Sequence, residues 1–273
     1  NDNCDIAAIV NSYNNSPDAS GIYQLGTTAI TWTVTDIHGN TNSCVQLVTI
    51  VDDDAPTITC AVDQDQGTDD GTCSATVTVI TPAVADNCSD VTLLNSYNNT
   101  ANASGNYPLG TTTVIWTATD SHGNTNTCAQ HITITDDELP VITCAAGLTH
   151  LADPGLCNAS VTVTSPTVSD NCGVATVLNS FNGTSNASGT YPVATTVVLW
   201  TVTDMQGNTN ACEQSITVID DQDPVINCAM DQMQGADPGL CSAYVNVSGP
   251  LAEDNCSVAS IINSYNNESI ASG

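Results

Sequence analysis

Runs of adjacent acidic residues recur three times along the chain, and they are the residues best suited to bind a ligand. Each run precedes a proline. Neighbouring carboxylates repel one another, and proteins bind Ca²⁺ through carboxylate and carbonyl oxygens. The runs therefore indicate that a cation completes the structure, because turn formation by single aspartates does not explain such stacking of charge. They are Asp52-Asp53-Asp54, Asp136-Asp137-Glu138 and Asp220-Asp221-Gln222-Asp223.

The acidic runs belong to an internal repeat with a period of 84 residues. The tripeptide Asp-Asn-Cys begins at Asp2, Asp86, Asp170 and Asp254. Such self-similarity is typical of tandem domains. Chains normally begin and end at domain edges, so we expect this sequence to belong to a longer protein. The predicted domains are a partial repeat over 1–52, complete repeats over 53–136 and 137–220, and a partial repeat over 221–273.

The composition excludes several classes of partner. The chain has 29 Asp and Glu residues and no Lys or Arg. A protein that binds nucleic acid needs cationic side chains to displace counterions from the phosphates, so nucleic acid is excluded. Anionic membrane surfaces are disfavoured for the same reason. No apolar run of 18 residues occurs, and direct membrane insertion is not predicted.

The 13 cysteines recur at four fixed positions of the period and contain no CxxC pair. This usage is typical of disulfides in an oxidising compartment, and it predicts an extracellular protein, secreted or attached to a cell surface. Four cysteines allow three pairings. The strand pattern favours Cys88–Cys128 and Cys60–Cys73, and Cys256 is expected to pair 40 residues further on. The predicted disulfide residues are Cys4, Cys44, Cys60, Cys73, Cys88, Cys128, Cys144, Cys157, Cys172, Cys212, Cys228 and Cys241.

Short alternating segments separated by turn residues predict β-strands in every repeat. The strand that contains Trp116 runs through Asp-Ser-His-Gly-Asn into the strand that contains Cys128, which indicates a hairpin with Gly123 at its tip. Trp116, Tyr107 and Tyr97 recur in phase. We interpret them as core anchors, with a carbohydrate-stacking platform as the alternative.

One motif recurs with few changes, among them Ala194 where the other periods have Gly26 and Gly110, and in the second period it reads Ser104-Gly105-x-Tyr107-Pro108-x-Gly110-Thr-Thr-x-Val114-x-Trp116-x-x-x-Asp120-x-x-Gly123-Asn124-x-x-x-Cys128. It resembles the hyalin repeat, or HYR, domain. The resemblance implies an all-β fold of tandem immunoglobulin-like β-sandwich repeats used in extracellular adhesion. The variety with four cysteines is similar to arrays in giant cell-surface adhesins of Bacteroidota.

In such a sandwich the entering linker, the Asp-Asn-Cys loop and the hairpin tip lie at one end. The resemblance therefore implies that their acids converge between consecutive domains as a Ca²⁺ site that stiffens each joint. Turn formation is the alternative for the hairpin and loop acids. The predicted ligands are Asp52, Asp53, Asp54, Asp86, Asp120, Asn124, Asp136, Asp137, Glu138, Asp170, Asp204, Asn208, Asp220, Asp221, Asp223, Asp254, Asp2, Asp36 and Asn40.

Catalysis is not predicted, because the candidate catalytic groups do not repeat. His38 and His122 become Gln206 in the third period, and His131 and His150 each occur once. We interpret His131 and His150 as strand and loop surface residues. The sequence has no HExxH motif and no phosphate-binding glycine loop. A calcium-dependent glycan-binding module is the alternative function.

The repeats together predict a structural or adhesive filament or stalk that acts in cell-surface attachment or as a surface appendage. Sandwiches joined by short linkers make a rod whose length grows with the number of repeats. Disulfides within the domains and Ca²⁺ between them are expected to stiffen it. The expected partners are the neighbouring repeats of the same chain, surface glycans and other copies of the filament.

Overall fold

The computed structural model describes residues 5–268, and this part of the chain is all-β. It contains no helix, and therefore none that is long and apolar enough to cross a membrane. The strands are β1 (Ile6–Asn11), β2 (Gly26–Asp36), β3 (Thr41–Ile50), β4 (Thr57–Thr59), β5 (Gln64–Gly67), β6 (Ser74–Val77), β7 (Ala83–Ala85), β8 (Thr92–Asn95), β9 (Gly105–Pro108), β10 (Gly110–Thr119), β11 (Thr125–Thr135), β12 (Val141–Thr143), β13 (Leu148–Leu151), β14 (Asn158–Val161), β15 (Thr167–Ser169), β16 (Val174–Asn179), β17 (Gly189–Pro192), β18 (Ala194–Asp204), β19 (Thr209–Ile219), β20 (Val225–Asn227) and β21 (Leu251–Glu253).

The chain divides into two compact units. Residues 1–66 and 76–134 make the first unit, and residues 67–75 and 135–273 make the second. The short segment 67–75 therefore belongs to the same unit as the following period. The domain boundaries at residues 53 and 137 stay predictions.

Within the second unit, residues 135–218 fold as a β-sandwich. One sheet has the order β13-β19-β18-β16, in which β13 runs parallel to β19 and the other neighbours are antiparallel. The pairs β12-β15 and β14-β17 supply the remaining strands. Tyr191, Trp200 and Ile216 are fully buried in the core between these strands. The predicted class, all-β with tandem immunoglobulin-like sandwiches, is confirmed.

Period-two patterning explains why these segments form strands. Val198, Trp200 and Val202 are buried in β18 and alternate with exposed or half-buried residues, and Ile216 and Val218 repeat the pattern in β19. Successive side chains of a strand point to opposite faces of the sheet, so the apolar set lines the core. Burying a side chain such as that of Ile216 contributes about 1.5–3 kcal/mol.

The first unit contains the predicted hairpin, which β10 and β11 form. Trp116 lies opposite Cys128 in this pair, and the strand β8 adds to the other edge of β10. Gly123 at the tip has a φ of 93°, a conformation that glycine adopts without steric cost. The hairpin prediction is confirmed.

The disulfide pairing within each sandwich differs from the predicted one. Cys60 is bonded to Cys128, and Cys144 to Cys212. In the first unit Thr57 pairs with Ala85 and Thr59 with Ala83, so Cys60 and Cys88 follow opposite ends of the β4-β7 pair. Cys88 therefore lies at the linker end, away from Cys60. The predicted Cys88–Cys128 bond is wrong for this reason.

The other disulfides join consecutive periods. Cys73 is bonded to Cys172, and Cys157 to Cys256. The predicted Cys60–Cys73 bond is wrong because segment 67–75 packs with residues of the next period. Cys256 likewise pairs backward with Cys157 and not with a later residue.

Four cysteines carry no disulfide within residues 5–268, namely Cys44, Cys88, Cys228 and Cys241. At the observed separations of 68 and 99 residues, the partner of each would fall outside the printed sequence. Cys4, which holds the position of Cys88 in the first period, lies outside the described residues.

Candidate metal centres

Three carboxylates meet in the second unit and form what we call the Asp136 centre. Asp136 directly follows β11, Asp170 directly follows β15, and Asp204 is the last residue of β18. One oxygen of each lies within 4.8 Å of the others. Asp136 and Asp204 are buried, with 7% and 2% of their surface exposed. Linker, loop and hairpin acids thus converge as the sequence predicted.

Asp204 is held by the tip of its own hairpin. Its Oδ1 accepts the backbone N–H groups of Gln206, Gly207 and Asn208, and its Oδ2 accepts the amide of Asn208 at 2.8 Å. Burial opposes the charge of Asp204, but these hydrogen bonds outweigh it and hold the pKa of Asp204 below its ordinary value. The carboxylate is therefore fixed and ionised near neutral pH.

The other two acids each use one oxygen and leave the second without a partner. Asp170 Oδ2 accepts the N–H groups of Cys172 and Gly173 at 2.9 and 2.8 Å. Asp136 Oδ1 accepts the Asn171 amide at 3.2 Å and the Glu138 N–H at 3.3 Å. Asp136 Oδ2, Asp170 Oδ1 and Asn171 Oδ1 are buried and accept no hydrogen bond.

Buried oxygens without donors are costly, because each loses its contact with water and gains nothing in return. Three carboxylates in close contact add mutual repulsion. Both defects disappear if a divalent cation binds, since Ca²⁺ takes 6–8 oxygen ligands of these kinds. The donor set of the Asp136 centre fits Ca²⁺.

The first unit holds a related cluster, the Asp52 centre, made of Asp52, Asp120 and His122. Asp120 Oδ1 accepts the N–H groups of His122 and Asn124, both at 2.8 Å. Burial opposes the charge of Asp120, but the bonds from Asn124, His122 and Gly123 keep the pKa of Asp120 below its ordinary value. Asp52 Oδ2 lies 3.2 Å from His122 Nδ1, without the alignment of a hydrogen bond.

A comparison with known protein families shows which family this chain belongs to. The HYR domain family matches residues 51–134 and 135–218, which together contain both centres. The chain belongs to the HYR domain family. Its two complete HYR domains carry the Asp52 and Asp136 centres at equivalent positions.

Two hyalins are among the relatives of this HYR chain. Hyalin of Strongylocentrotus purpuratus is 28% identical over 270 residues, and hyalin of Lytechinus variegatus is 34% identical over 196 residues. The alignments cover 96% and 69% of this chain, and 22% and 36% of the two hyalins. The HYR chain thus spans well under half the length of these relatives.

Matches among solved structures include extracellular domains 3–6 of protocadherin gammaB7, at 14% identity and a TM-score of 0.34. That match covers 83% of the HYR chain and 68% of the protocadherin chain. Drosophila N-cadherin domains 1–3 match with 10% identity and a TM-score of 0.29, over 74% of the HYR chain and 80% of the cadherin chain.

Several predicted ligands of the HYR junctions serve other contacts. The Asn124 and Asn208 amides donate to the carbonyls of Asp52 and Asp136, at 3.1 Å each, and so tie the hairpin tips to the linkers. Glu138 accepts the N–H of Gly71 at 2.9 Å. These side chains hold the linker and the loop in place around the centres.

The remaining acids of the first two linkers lie apart from both clusters. Asp54 accepts the amide of Asn87 at 3.0 Å, and Asp53 is exposed. Asp137 is exposed and lies against Gly67. Asp86, which lies in the Asp-Asn-Cys loop, has a buried oxygen, Oδ1, that accepts no hydrogen bond.

Two further sets of predicted ligands are incomplete in the described part of the chain. The third group is Asp220, Asp221, Asp223 and Asp254, and the fourth is Asp2, Asp36 and Asn40. Asp220 accepts the amide of Asn255 at 3.0 Å, and Asp254 accepts the N–H of Cys256 at 2.9 Å. Asp221 and Asp223 are exposed. In the fourth group Asp36 accepts the N–H and the amide of Asn40, and Asp2 lies outside the described residues.

Two members of the HYR centres were missed from the sequence. His122, which is exposed, was considered only as a catalytic candidate that Gln206 replaces in the third period, and Asn171 was not among the predicted ligands. A signal for each was present: His122 lies two residues after a predicted ligand, and Asn171 is the second residue of the repeated Asp-Asn-Cys tripeptide.

The HYR aromatic residues belong to the core. Trp116, Trp200, Tyr107 and Tyr191 are fully buried. Tyr97, the third predicted core anchor, is instead exposed and stacks on Tyr107 with ring centroids 4.3 Å apart. The four buried rings have no exposed face on which a sugar could stack, so they cannot form the carbohydrate-stacking platform considered as the alternative.

Proposed function

We propose that this chain is part of an extracellular structural or adhesive stalk, in which disulfide bonds and Ca²⁺ tie consecutive HYR domains together. The observation that carries the proposal is the Asp136 centre, which lies directly beside a disulfide between two HYR domains. Similarity to hyalins supports an extracellular setting, and membership of the HYR family supports a role in adhesion.

The disulfides support the mechanical part of the proposal. Cys73 and Cys172 lie in different HYR domains, so their bond is a second covalent link besides the polypeptide backbone. Disulfides persist in oxidising compartments and are rare in the cytosol. A domain chain linked twice at its joints is suited to bear load outside the cell.

The unpaired oxygens support the calcium part. Asp136 enters the centre from the linker, Asp170 and Asn171 from the loop before Cys172, and Asp204 from the hairpin tip. Bound Ca²⁺ would offset two of the three negative charges and crosslink the segments that carry the carboxylates. Asn171 also donates its amide to the Thr72 carbonyl at 3.0 Å, which ties segment 67–75 to the same centre.

Calorimetry with and without calcium tests the proposal. The chain should melt at a higher temperature in Ca²⁺ than in chelator, and isothermal titration should detect Ca²⁺ binding that Asp170→Asn abolishes. Asp137→Asn removes the same charge from an exposed neighbour and is the matched control. Identical melting with and without Ca²⁺, together with no heat of binding, would refute the calcium joint.

Imaging and glycan arrays separate the stalk from the alternative function. Electron micrographs of the native particle should show a beaded filament that becomes more flexible in chelator. A compact globule would contradict the stalk. Calcium-dependent binding of defined glycans to the intact chain would instead favour a glycan-binding module.

A further inference from the structure

We infer that the Asp52 centre is a mixed nitrogen and oxygen site that binds Zn²⁺ in preference to Ca²⁺. The inference concerns the first unit only and does not depend on calcium binding at the Asp136 centre. It replaces, for this centre, the calcium site predicted from the sequence.

The two centres differ in their donor sets. In the Asp52 centre the group of mutually close ligand atoms includes an imidazole nitrogen of His122. In the Asp136 centre the corresponding group consists of three carboxylates, and Gln206 stands at the position of His122. A single exchange in the hairpin tip thus changes the chemistry of the site.

The hairpin tip directs the imidazole toward the carboxylates. The backbone N–H of His122 donates to Asp120 Oδ1, which fixes the residue directly beside that ligand. The ring Nδ1 lies 3.2 Å from Asp52 Oδ2 and 3.3 Å from Ser121 Oγ. A metal ion that binds Nδ1 therefore also has Asp52 within reach.

An independent observation points to a ligand at this place. The side chain of Asp52 is 1% exposed, yet its Oδ2 accepts no hydrogen bond. An ionised oxygen is stable there only with a positive partner, since burial of an unpaired charge is strongly unfavourable. The chain has no Lys or Arg, so the positive partner is either a bound cation or the protonated ring of His122, 3.2 Å away.

Ligand chemistry selects the metal. Imidazole is a ligand for Zn²⁺ and other transition metals, whereas Ca²⁺ is bound by oxygen. Two carboxylates and one imidazole with an open fourth position match the tetrahedral coordination of Zn²⁺. Asp86 Oδ1, which is buried and accepts no hydrogen bond, is a further oxygen in the loop of this junction.

The test measures Zn²⁺ binding to the full chain in excess Ca²⁺, by competition with a chromophoric chelator. Thiolates also bind Zn²⁺, so every protein in the test carries serine in place of the unpaired cysteines, among them Cys88. The variants are His122→Gln, which installs the residue of the other centre, and Gln206→His, which makes the reverse exchange. His131→Asn is the control, because His131 pairs with the exposed Asp63 elsewhere in the unit.

The parent chain should bind one Zn²⁺ tightly, and His122→Gln should weaken that binding by more than about tenfold, since even outer-shell changes have effects of that size. Gln206→His should create a second Zn²⁺ site, and His131→Asn should change nothing. Equal Zn²⁺ affinity of the parent and His122→Gln would overturn the inference, as would displacement of Zn²⁺ by the Ca²⁺ present. Calcium titration of the parent chain against Asp170→Asn tests the Asp136 centre separately, so failure of either proposal is distinguishable from failure of the other.

Discussion

Replacing Asp136 by Asn should change stability in opposite directions with and without calcium. In chelator the substitution removes one of three carboxylate charges, two of them on buried residues, whose oxygens lie within 4.8 Å of one another. At this distance, and at an effective dielectric constant of about 20, each like-charge pair costs about 3.5 kcal/mol. Solvent and hydrogen bonds offset part of this repulsion. We therefore expect Asp136→Asn to stabilise the chelated protein by about 1–3 kcal/mol.

In Ca²⁺ the same substitution removes a ligand. A cation at 1,000 times its dissociation constant stabilises the folded state by about 4.1 kcal/mol, and losing most of that stabilisation outweighs the gain of about 1–3 kcal/mol that the variant has from relieved repulsion. For a domain of this size, 1 kcal/mol corresponds to a melting-temperature shift of about 4–8 °C, so calorimetry resolves both effects.

A purely structural role of Asp136 would give a different result. Its Oδ1 accepts hydrogen bonds from Asn171 and Glu138, and an asparagine oxygen can accept the same bonds. If the carboxylate served only these contacts, Asp136→Asn would have the same sign of effect in chelator and in Ca²⁺. That outcome would refute the reasoning, and Asp137→Asn supplies the baseline for removal of one exposed charge.

Further tests concern the disulfides and the core. Replacing Cys73 and Cys172 by Ser should lower calcium affinity about tenfold or more in isothermal titration, because Asp170 and Asn171 directly precede Cys172. Replacing the Cys60–Cys128 pair should instead lower the free energy of unfolding in urea melts by about 4 kcal/mol and leave calcium affinity unchanged. Burial, with a contribution from Tyr97, raises the pKa of Tyr107 to about 12. The unfolded phenol loses its proton near pH 10, so this contribution is complete below pH 10 and declines by up to about 3 kcal/mol as the pH rises toward 12. Urea melts across this range should show the decline, and Tyr107→Phe should flatten it.

The sequence predicted the features that local patterning controls. Alternation around Trp116 and the glycine at the hairpin tip specify strand and turn over a few residues, and both are confirmed. Convergence of Asp136, Asp170 and Asp204 was predicted because linker, loop and hairpin lie at one end of an immunoglobulin-like sandwich.

Local sequence patterns could not predict the disulfide partners or the imidazole ligand. The local sequence around a cysteine does not show which period contains its disulfide partner. The packing of segment 67–75 with the following domain depends on tertiary contacts such as that of Glu138 with Gly71. The role of His122 depends on the side-chain direction at a hairpin tip, where the backbone and not the hydrophobic pattern decides orientation. Pairing within the domain was the simpler assumption, and tertiary contacts overrode it.

The disulfides between periods also change the path that tension takes along the chain. From Cys73 the shortest covalent route crosses to Cys172, runs backward to Cys157 and crosses again to Cys256. The segment between Cys157 and Cys172 extends to only about 50 Å. The strands around Trp200 lie outside this route, so pulling on the ends would release little length even if that sandwich lost its fold. Covalent topology, and not the strength of the core, would then set the extensibility of the stalk.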